Sequence, residues 1–198
     1  MTQVICSTSR AYVEKITNLL ARLDEIGIDR LADLIFDAWR DDRQVFVFGN
    51  GGSAYNASHH VCDYVKTATA DGARPLRAIS LNDNIGISTA VGNDLGYEDV
   101  FRYPLSAYAK SGDIALAISC SGNSPNVLRA CEWAAANGLV VVALTGFAGG
   151  RLKELADLHV NIPSDNYGIV EDLHLSIGHM VSQMLRSKIA AEARVSSS

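Results

Sequence analysis

Cysteine is scarce in this sequence and shows no pairing pattern. Four thiols, Cys6, Cys62, Cys120 and Cys131, are spread over 198 residues with no C-x-x-C spacing and no finger-like run. That excludes a disulfide-stapled scaffold and a cysteine-held metal centre, and points to reduced thiols in a reducing compartment. Proline is also rare, at four residues, and no Pro-rich linker, repeat or low-complexity block interrupts the chain. The longest purely aliphatic run, Leu139–Leu144, is far too short to cross a bilayer. Residues Met1–Arg10 lack the charged start and apolar core of a secretion signal, so a cytoplasmic location is expected. Positive charge is in deficit: 17 Lys+Arg against 22 Asp+Glu leave a formal charge of −5. This argues against a protein that coats nucleic acid. What remains, with 48% hydrophobic and 20% charged residues, is the composition of a globular protein and not of a disordered tail or a fibre. Neither a nucleic acid nor a membrane is expected as a partner.

Within an N-terminal region of residues 1–43, Ser9–Asp41 reads as helix. Val13, Ile16, Leu19, Leu20 and Leu23 recur at helical spacing, and Leu31, Leu34, Ile35 and Ala38 repeat the pattern after a break at Gly27. These helices carry enough Leu and Ile to need cover from the rest of the chain or from another subunit. From residue 44 to 198 the pattern changes. Short aliphatic runs at Val45–Phe48, Ala78–Leu81, Ile114–Ile118, Leu139–Leu144 and Leu158–Ile162 alternate with helical segments at 54–69, 125–137, 150–156 and 168–191. Strands without a polar face, alternating with helices, predict a doubly wound α/β domain with a parallel sheet covered on both sides. Ligands in such folds bind at the carboxyl ends of the strands.

Two of those ends are suited to an anion. Gly49-Asn50-Gly51-Gly52-Ser53 follows the first strand and opens a helix. Its glycines allow a tight turn, and its N–H groups and the helix N-terminus face whatever sits there. Ser119-Cys120-Ser121-Gly122-Asn123-Ser124-Pro125 follows the third strand, with Ser124 placed as an N-cap and Pro125 at the first helical position. Neither loop contains Lys or Arg, so a phosphate would be held by backbone dipoles and hydroxyls. The plainer alternative for either loop alone is a well-capped turn; two on one sheet weaken it. The first loop also fits the dinucleotide pattern G-x-G-x-x-A. That reading needs an acid about 20 residues on, whereas the next strand ends later, at Leu81-Asn82-Asp83, and the serine loop would have no role.

His59 and Asp63 stand four residues apart and share a helix face, which suits two metal ligands or an acid/base pair, or simply a helical ion pair. The last helix carries Glu171, Asp172, His174 and His179 among apolar neighbours. Glu171 and His179 lie eight residues apart, about 12 Å along an ideal helix. They reach one small site only if Glu171 precedes the regular helix or if different subunits contribute. His60 points away from the His59 face and His159 falls in a strand; neither is given a function.

Taken together these segments resemble the sugar isomerase (SIS) domain family, and among its branches the bacterial phosphoheptose isomerases. The resemblance spans nearly the whole chain. It rests on the Gly49–Ser53 loop, Val91-Gly92-Asn93-Asp94, the Ser119–Ser124 loop, Leu144-Thr145-Gly146 and Glu171-Asp172-x-His174-x-x-x-x-His179. It implies an SIS-type three-layer sandwich and aldose–ketose isomerisation of sedoheptulose 7-phosphate, in lipopolysaccharide or capsule heptose biosynthesis. It further implies a homo-oligomer, expected to be a tetramer. Sugar-phosphate contacts are implied for Asn50, Gly51, Gly52, Ser53, Asn93, Asp94, Ser119, Cys120, Ser121, Ser124 and Glu171. A zinc ion is implied on His59, Asp63, Glu171 and His179, with Asp63 as the base and His179 as its acid/base partner. Three positions depart from the family: Asp63 stands where it has Glu, Glu171 where it has Gln, and Cys120 where it has Thr. These departures keep two other readings open. One is an SIS isomerase for a different phosphosugar. The other is a non-catalytic relative that binds a sugar phosphate or associates with the replication initiator DnaA.

Overall fold

The computed structural model describes residues 5–196, so the first four residues of the segment read for a secretion signal lie outside it. Five parallel strands form one sheet: β1 (Val45–Gly49), β2 (Ala78–Ser80), β3 (Ile114–Ser119), β4 (Val140–Gly146) and β5 (Leu158–Ile162), in the order β2-β1-β3-β4-β5. The helices are α1 (Ser9–Leu20), α2 (Glu25–Arg40), α3 (Gly52–Cys62), α4 (Ile85–Asp94), α5 (Arg102–Tyr108), α6 (Pro125–Ala136), α7 (Leu152–Leu155) and α8 (Tyr167–Ser196). The fold is the expected doubly wound α/β sandwich.

The strands form where β-branched and aliphatic side chains can pack on both faces of a pleated surface. All residues of β1 and β3 are buried. Alternate positions feed two separate cores. Val45, Val47, Leu116, Ile118 and Leu144 face α2, α3 and α8. Phe46, Phe48, Ala115, Ala117 and Ala143 face the layer that contains α5, α6 and α7. There the Phe48 and Phe101 rings lie 5.3 Å apart. The strand order reverses direction between β1 and β3, which pair in register from Val45↔Ile114 to Gly49↔Ile118. The loops after these two strands therefore flank the switch point, where doubly wound sheets bind ligands.

Several boundaries differ from those expected. Gly27 does not separate the first two helices. The break falls before Glu25, because the Asp24 side chain accepts from Gly27 N at 3.0 Å and caps α2. Gly27 lies in the first turn, where a Cβ would meet that carboxylate. The segment between β2 and β3, read without elements, forms α4 and α5. Glycines at 86 and 92 mask the helical pattern of α4, which Asn84 caps by accepting from Ile87 N at 3.1 Å. The helix after the first loop ends as a π-helical turn, Asp63–Thr67. α2 belongs to the core, whereas α1 has no buried residue. The four cysteines are free. Among the described residues no helix is long and apolar enough to cross a membrane.

Candidate active site

The first loop is shaped by two glycines. Gly51 adopts φ +56° and hands the chain to α3. At Gly49 a Cβ would press on Ser53 and on the Ile118 carbonyl oxygen, so its absence lets β1 end tight against β3. Ser53 is buried, and its Oγ lies 3.9 Å from Cys120 Sγ, so the two loops touch side by side. Burial, with the nearby Glu171 charge adding to it, pushes the Cys120 thiol up to about 11. It stays a neutral thiol and is not a nucleophile.

A reciprocal amide pair locks the loops together. Asn50 Nδ2 donates to Asn126 Oδ1 at 2.8 Å, and Asn126 Nδ2 donates back to Asn50 Oδ1 at 2.9 Å. The Tyr97 hydroxyl donates to the same Asn50 oxygen at 3.1 Å. Asn126 and Tyr97 carry no motif signal in the sequence. In the second loop Ser119 Oγ accepts from Gly122 N and Ser121 Oγ from Asn123 N, each at 3.3 Å. Ser124 occupies the N-cap of α6 with Pro125 behind it, but its hydroxyl makes no capping bond. That hydroxyl is the one among the three serines that the loop itself does not use.

Glu171 lies inside α8, and a Cβ at Gly52 would fall on its carboxyl group. It thus faces the first loop. Burial first, and Asp172 second, raise its pKa. Asn56 Nδ2 donates to the Glu171 carbonyl at 2.9 Å and ties α3 to α8.

Farther along the same two helices, His59, Asp63 and His179 converge. His59 Nε2 and His179 Nε2 are 3.0 Å apart, and Asp63 Oδ2 lies 3.6 Å from the first and 3.5 Å from the second. The Asp63 side chain is 14% exposed and the imidazoles 48% and 46%, so the set opens to solvent on its histidine side. Bonds of about 2.0–2.2 Å in tetrahedral coordination put neighbouring ligand atoms roughly 3.3–3.6 Å apart. The two Asp63 separations fall in that range and the His59–His179 separation of 3.0 Å is a few tenths of an ångström short of it, so with a small opening of the imidazole pair the set suits a divalent cation with an open coordination position. Three of the four residues expected to hold metal come together. Glu171 stands apart, because eight residues of regular helix separate it from His179 along α8.

The remaining candidates are placed as follows. Asn93 and Asp94 are exposed at the end of α4, where Asn93 Nδ2 donates to Asp94 Oδ1 at 2.7 Å. His60 and His174 are fully buried. Their Nε2 atoms lie 3.0 Å from the carbonyl oxygens of His174 and Thr145. Burial lowers both imidazoles to about 4, so they are neutral packing groups. His159 lies 2.6 Å from Thr145 Oγ1 and is likewise lowered, by burial first.

A parallel sheet with two anion-shaped loops at its switch point and a ligand triad on an adjoining helix pair defines a class. The SIS domain profile matches residues 11–146, and the chain belongs to the SIS domain family. Within that family it is similar over nearly its whole length to phosphoheptose isomerases. The enzyme of Geobacter sp. (strain M21) is 36% identical over 189 residues, which is 96% of this chain and 97% of that one. A probable phosphoheptose isomerase of Thermoplasma acidophilum is 36% identical over 180 residues, 91% of this chain and 98% of that one. The solved structure of a phosphoheptose isomerase from Francisella tularensis superposes with a TM-score of 0.85 at 29% identity, over 90% of this chain and 96% of that one.

Proposed function

We propose that the protein is a phosphoheptose isomerase, interconverting sedoheptulose 7-phosphate and D-glycero-D-manno-heptose 7-phosphate. The observation that carries this reading is the layout of α3 and α8. The loop end, at Gly52 and Glu171, and the triad end, at His59 and His179, lie on the same helix pair. Seven residues of α3, about 10 Å of helix, separate them. An extended seven-carbon sugar phosphorylated at one terminus has a comparable length. Its phosphate would sit among Ser53, Ser119, Cys120, Ser121, Ser124 and the N–H groups around Asn50–Gly52, and its reacting carbons beside Asp63. Asn93 and Asp94 remain candidates for further substrate contacts.

In the ketose-to-aldose direction one proton leaves C1 and one is returned to C2, while a hydroxyl proton moves from O1 to O2. Asp63 is assigned the carbon-bound proton and His179 the oxygen-bound one. Asp63 Oδ2 and His179 Nε2 are 3.5 Å apart, close enough to serve neighbouring atoms; a lone pair held by a metal ion carries no proton, so each of the two would act as a proton carrier only in steps in which it is released from the metal. His59, Asp63 and His179 would hold a zinc ion, whose chemistry when bound is electrostatic stabilisation of the enediolate oxygens. The test is deuterium exchange into sedoheptulose 7-phosphate and a panel of other phosphosugars, with metal analysis of the same sample. Exchange with the heptulose, and its loss per folded molecule in Asp63→Asn and His179→Ala, supports the assignment. Exchange that survives in Asp63→Asn removes Asp63 as the base. Exchange with another phosphosugar alone reassigns the substrate.

A homo-oligomer, expected to be a tetramer, belongs to the same proposal. It is supported by α1, which leaves Val13 58% and Leu20 41% exposed, and by Ile26 and Ile85 at 76% and 73%. A monomer by light scattering at micromolar concentration overturns it. A cytoplasmic place in heptose biosynthesis is the corresponding setting.

A further inference from the structure

The two oxygens of the Asp63 carboxylate have different partners. Oδ2 faces the His59 and His179 nitrogens at 3.6 and 3.5 Å. Oδ1 accepts from the Thr67 hydroxyl at 2.9 Å. Thr67 closes the π-helical turn that Asp63 opens, where Ala68 N donates to the Asp63 carbonyl at 2.8 Å. Such turns inside α-helices are frequent at functional sites.

The backbone that carries Thr67 is fastened from α8. Arg186 Nη1 donates to the carbonyls of Thr67 at 3.2 Å and Thr69 at 2.7 Å. Thr69 Oγ1 in turn donates to the Val65 carbonyl at 2.7 Å. Arg186 lies seven residues beyond His179 on the same helix, two turns away. So α8 presents one ligand of the triad directly and also holds the turn that aims another.

We propose that Thr67 is a positioning residue for the triad. A carboxylate has two equivalent oxygens and a soft terminal torsion. Left alone, Asp63 could swing between presenting one oxygen, the other, or both. The Thr67 hydroxyl removes that freedom by bonding Oδ1, so that Oδ2 alone is offered between the two imidazoles. Hydrogen bonds that orient ligating carboxylates act in this way in metal sites generally. The inference rests on the metal reading given under the proposed function.

The experiment compares Thr67→Val, which keeps the shape and removes the hydroxyl, with Thr67→Ser, which keeps the hydroxyl. Thr67 is exposed, so neither change disturbs the core. Zn²⁺ affinity is measured by competition against a chromophoric chelator, with thermal unfolding of the metal-free proteins alongside. Thr67→Val is expected to weaken Zn²⁺ binding by about 10–100-fold at little change in melting temperature, with Thr67→Ser close to the wild type. Sugar-phosphate exchange should fall in kcat in Thr67→Val, with KM held, because the phosphate loops are untouched. Wild-type Zn²⁺ affinity in Thr67→Val overturns the proposal and leaves the metal reading standing. So does a Thr67→Ser protein as weak as Thr67→Val, since the hydroxyl is then not the agent. A wild-type protein that binds no Zn²⁺ overturns the metal reading and the proposal with it.

Discussion

The His60 imidazole fills the space that a side chain at Gly178 would need. Each is the immediate neighbour of a triad histidine: His59 precedes His60 on α3, and His179 follows Gly178 on α8. His60 Nε2 lies 3.0 Å from the His174 carbonyl, one turn before Gly178. Close approach of the two helices at this point is what brings His59 Nε2 and His179 Nε2 to 3.0 Å.

Gly178→Ala therefore tests the helix contact. Alanine favours the helix by about 1 kcal/mol, but overpacking a core typically costs about 1–3 kcal/mol. The expected outcome is a net loss of stability together with weaker Zn²⁺ binding. Combining it with His60→Ala should recover part of the Zn²⁺ affinity, a coupling that a double-mutant cycle reads directly. A Gly178→Ala protein more stable than the wild type, with unchanged metal affinity, sinks this account.

The serines of the second loop should not behave alike. Ser119 and Ser121 already accept from Gly122 N and Asn123 N, whereas Ser124 makes no cap bond. Ser124→Ala should leave unfolding free energy within about 0.5 kcal/mol. It should weaken sugar-phosphate binding by roughly 1.5–3 kcal/mol if its hydroxyl donates to a charged oxygen. Ser119→Ala should cost stability as well. Calorimetric titration with the sugar phosphate and denaturant melts on the same samples separate the two effects. Equal affinities for the wild type and Ser124→Ala remove that hydroxyl from the site.

Glu171 places a carboxyl group against the loop proposed to hold phosphate, and burial already raises its pKa. Glu171→Gln removes a like charge and adds an N–H donor. KM for the sugar phosphate should fall, on the order of tenfold for about 1.4 kcal/mol. The wild type loses ground as pH rises through the Glu171 titration, so the gap between the two proteins should widen toward alkaline pH. A KM that does not respond at any pH shows that Glu171 does not face the phosphate.

His174 supplies a pH signature of the fold itself. Burial lowers its pKa from 6.5 to about 4 in the folded protein. The unfolded chain therefore binds the extra proton first. The stabilisation is fully present above about pH 6.5 and is lost as pH falls toward 4, with a slope of about 1.4 kcal/mol per pH unit for each such histidine. Urea unfolding at a series of pH values should show a shallower acid limb in His174→Gln than in the wild type. Identical limbs refute the assignment of a buried neutral imidazole.

Much of the fold was legible because it is encoded locally. Runs such as Ile114–Ile118 and Leu139–Leu144 have no polar face, so they belong between two layers. Gly51 and the Ser124-Pro125 pair mark turns through backbone chemistry that needs no distant partner. The segment from 82 to 113 was not legible, since the glycines of α4 blur its period and Asn84 supplies the start signal only through its side chain. Gly27 misled for the same reason in reverse: a glycine inside a helix reads as a break unless the Asp24 cap is known.

In the site, the sequence alone determined that His59 and Asp63 share a face, because four residues of helix fix that geometry. It also marked Glu171 and His179 as out of place on an apolar helix. It left open whether both could join His59, since eight residues of helix lie between them. Tertiary structure decided this through the contact of α3 with α8, where Gly178 admits the His60 ring and the register follows. That register puts His179 with His59 and Asp63 and sends Glu171 to Gly52. Thr67, Asn126 and Tyr97 were invisible beforehand for a related reason. Each acts through a hydrogen bond whose partner is set by a π-helical turn or by chain-distant packing. No period or motif in the sequence records where such a bond will end.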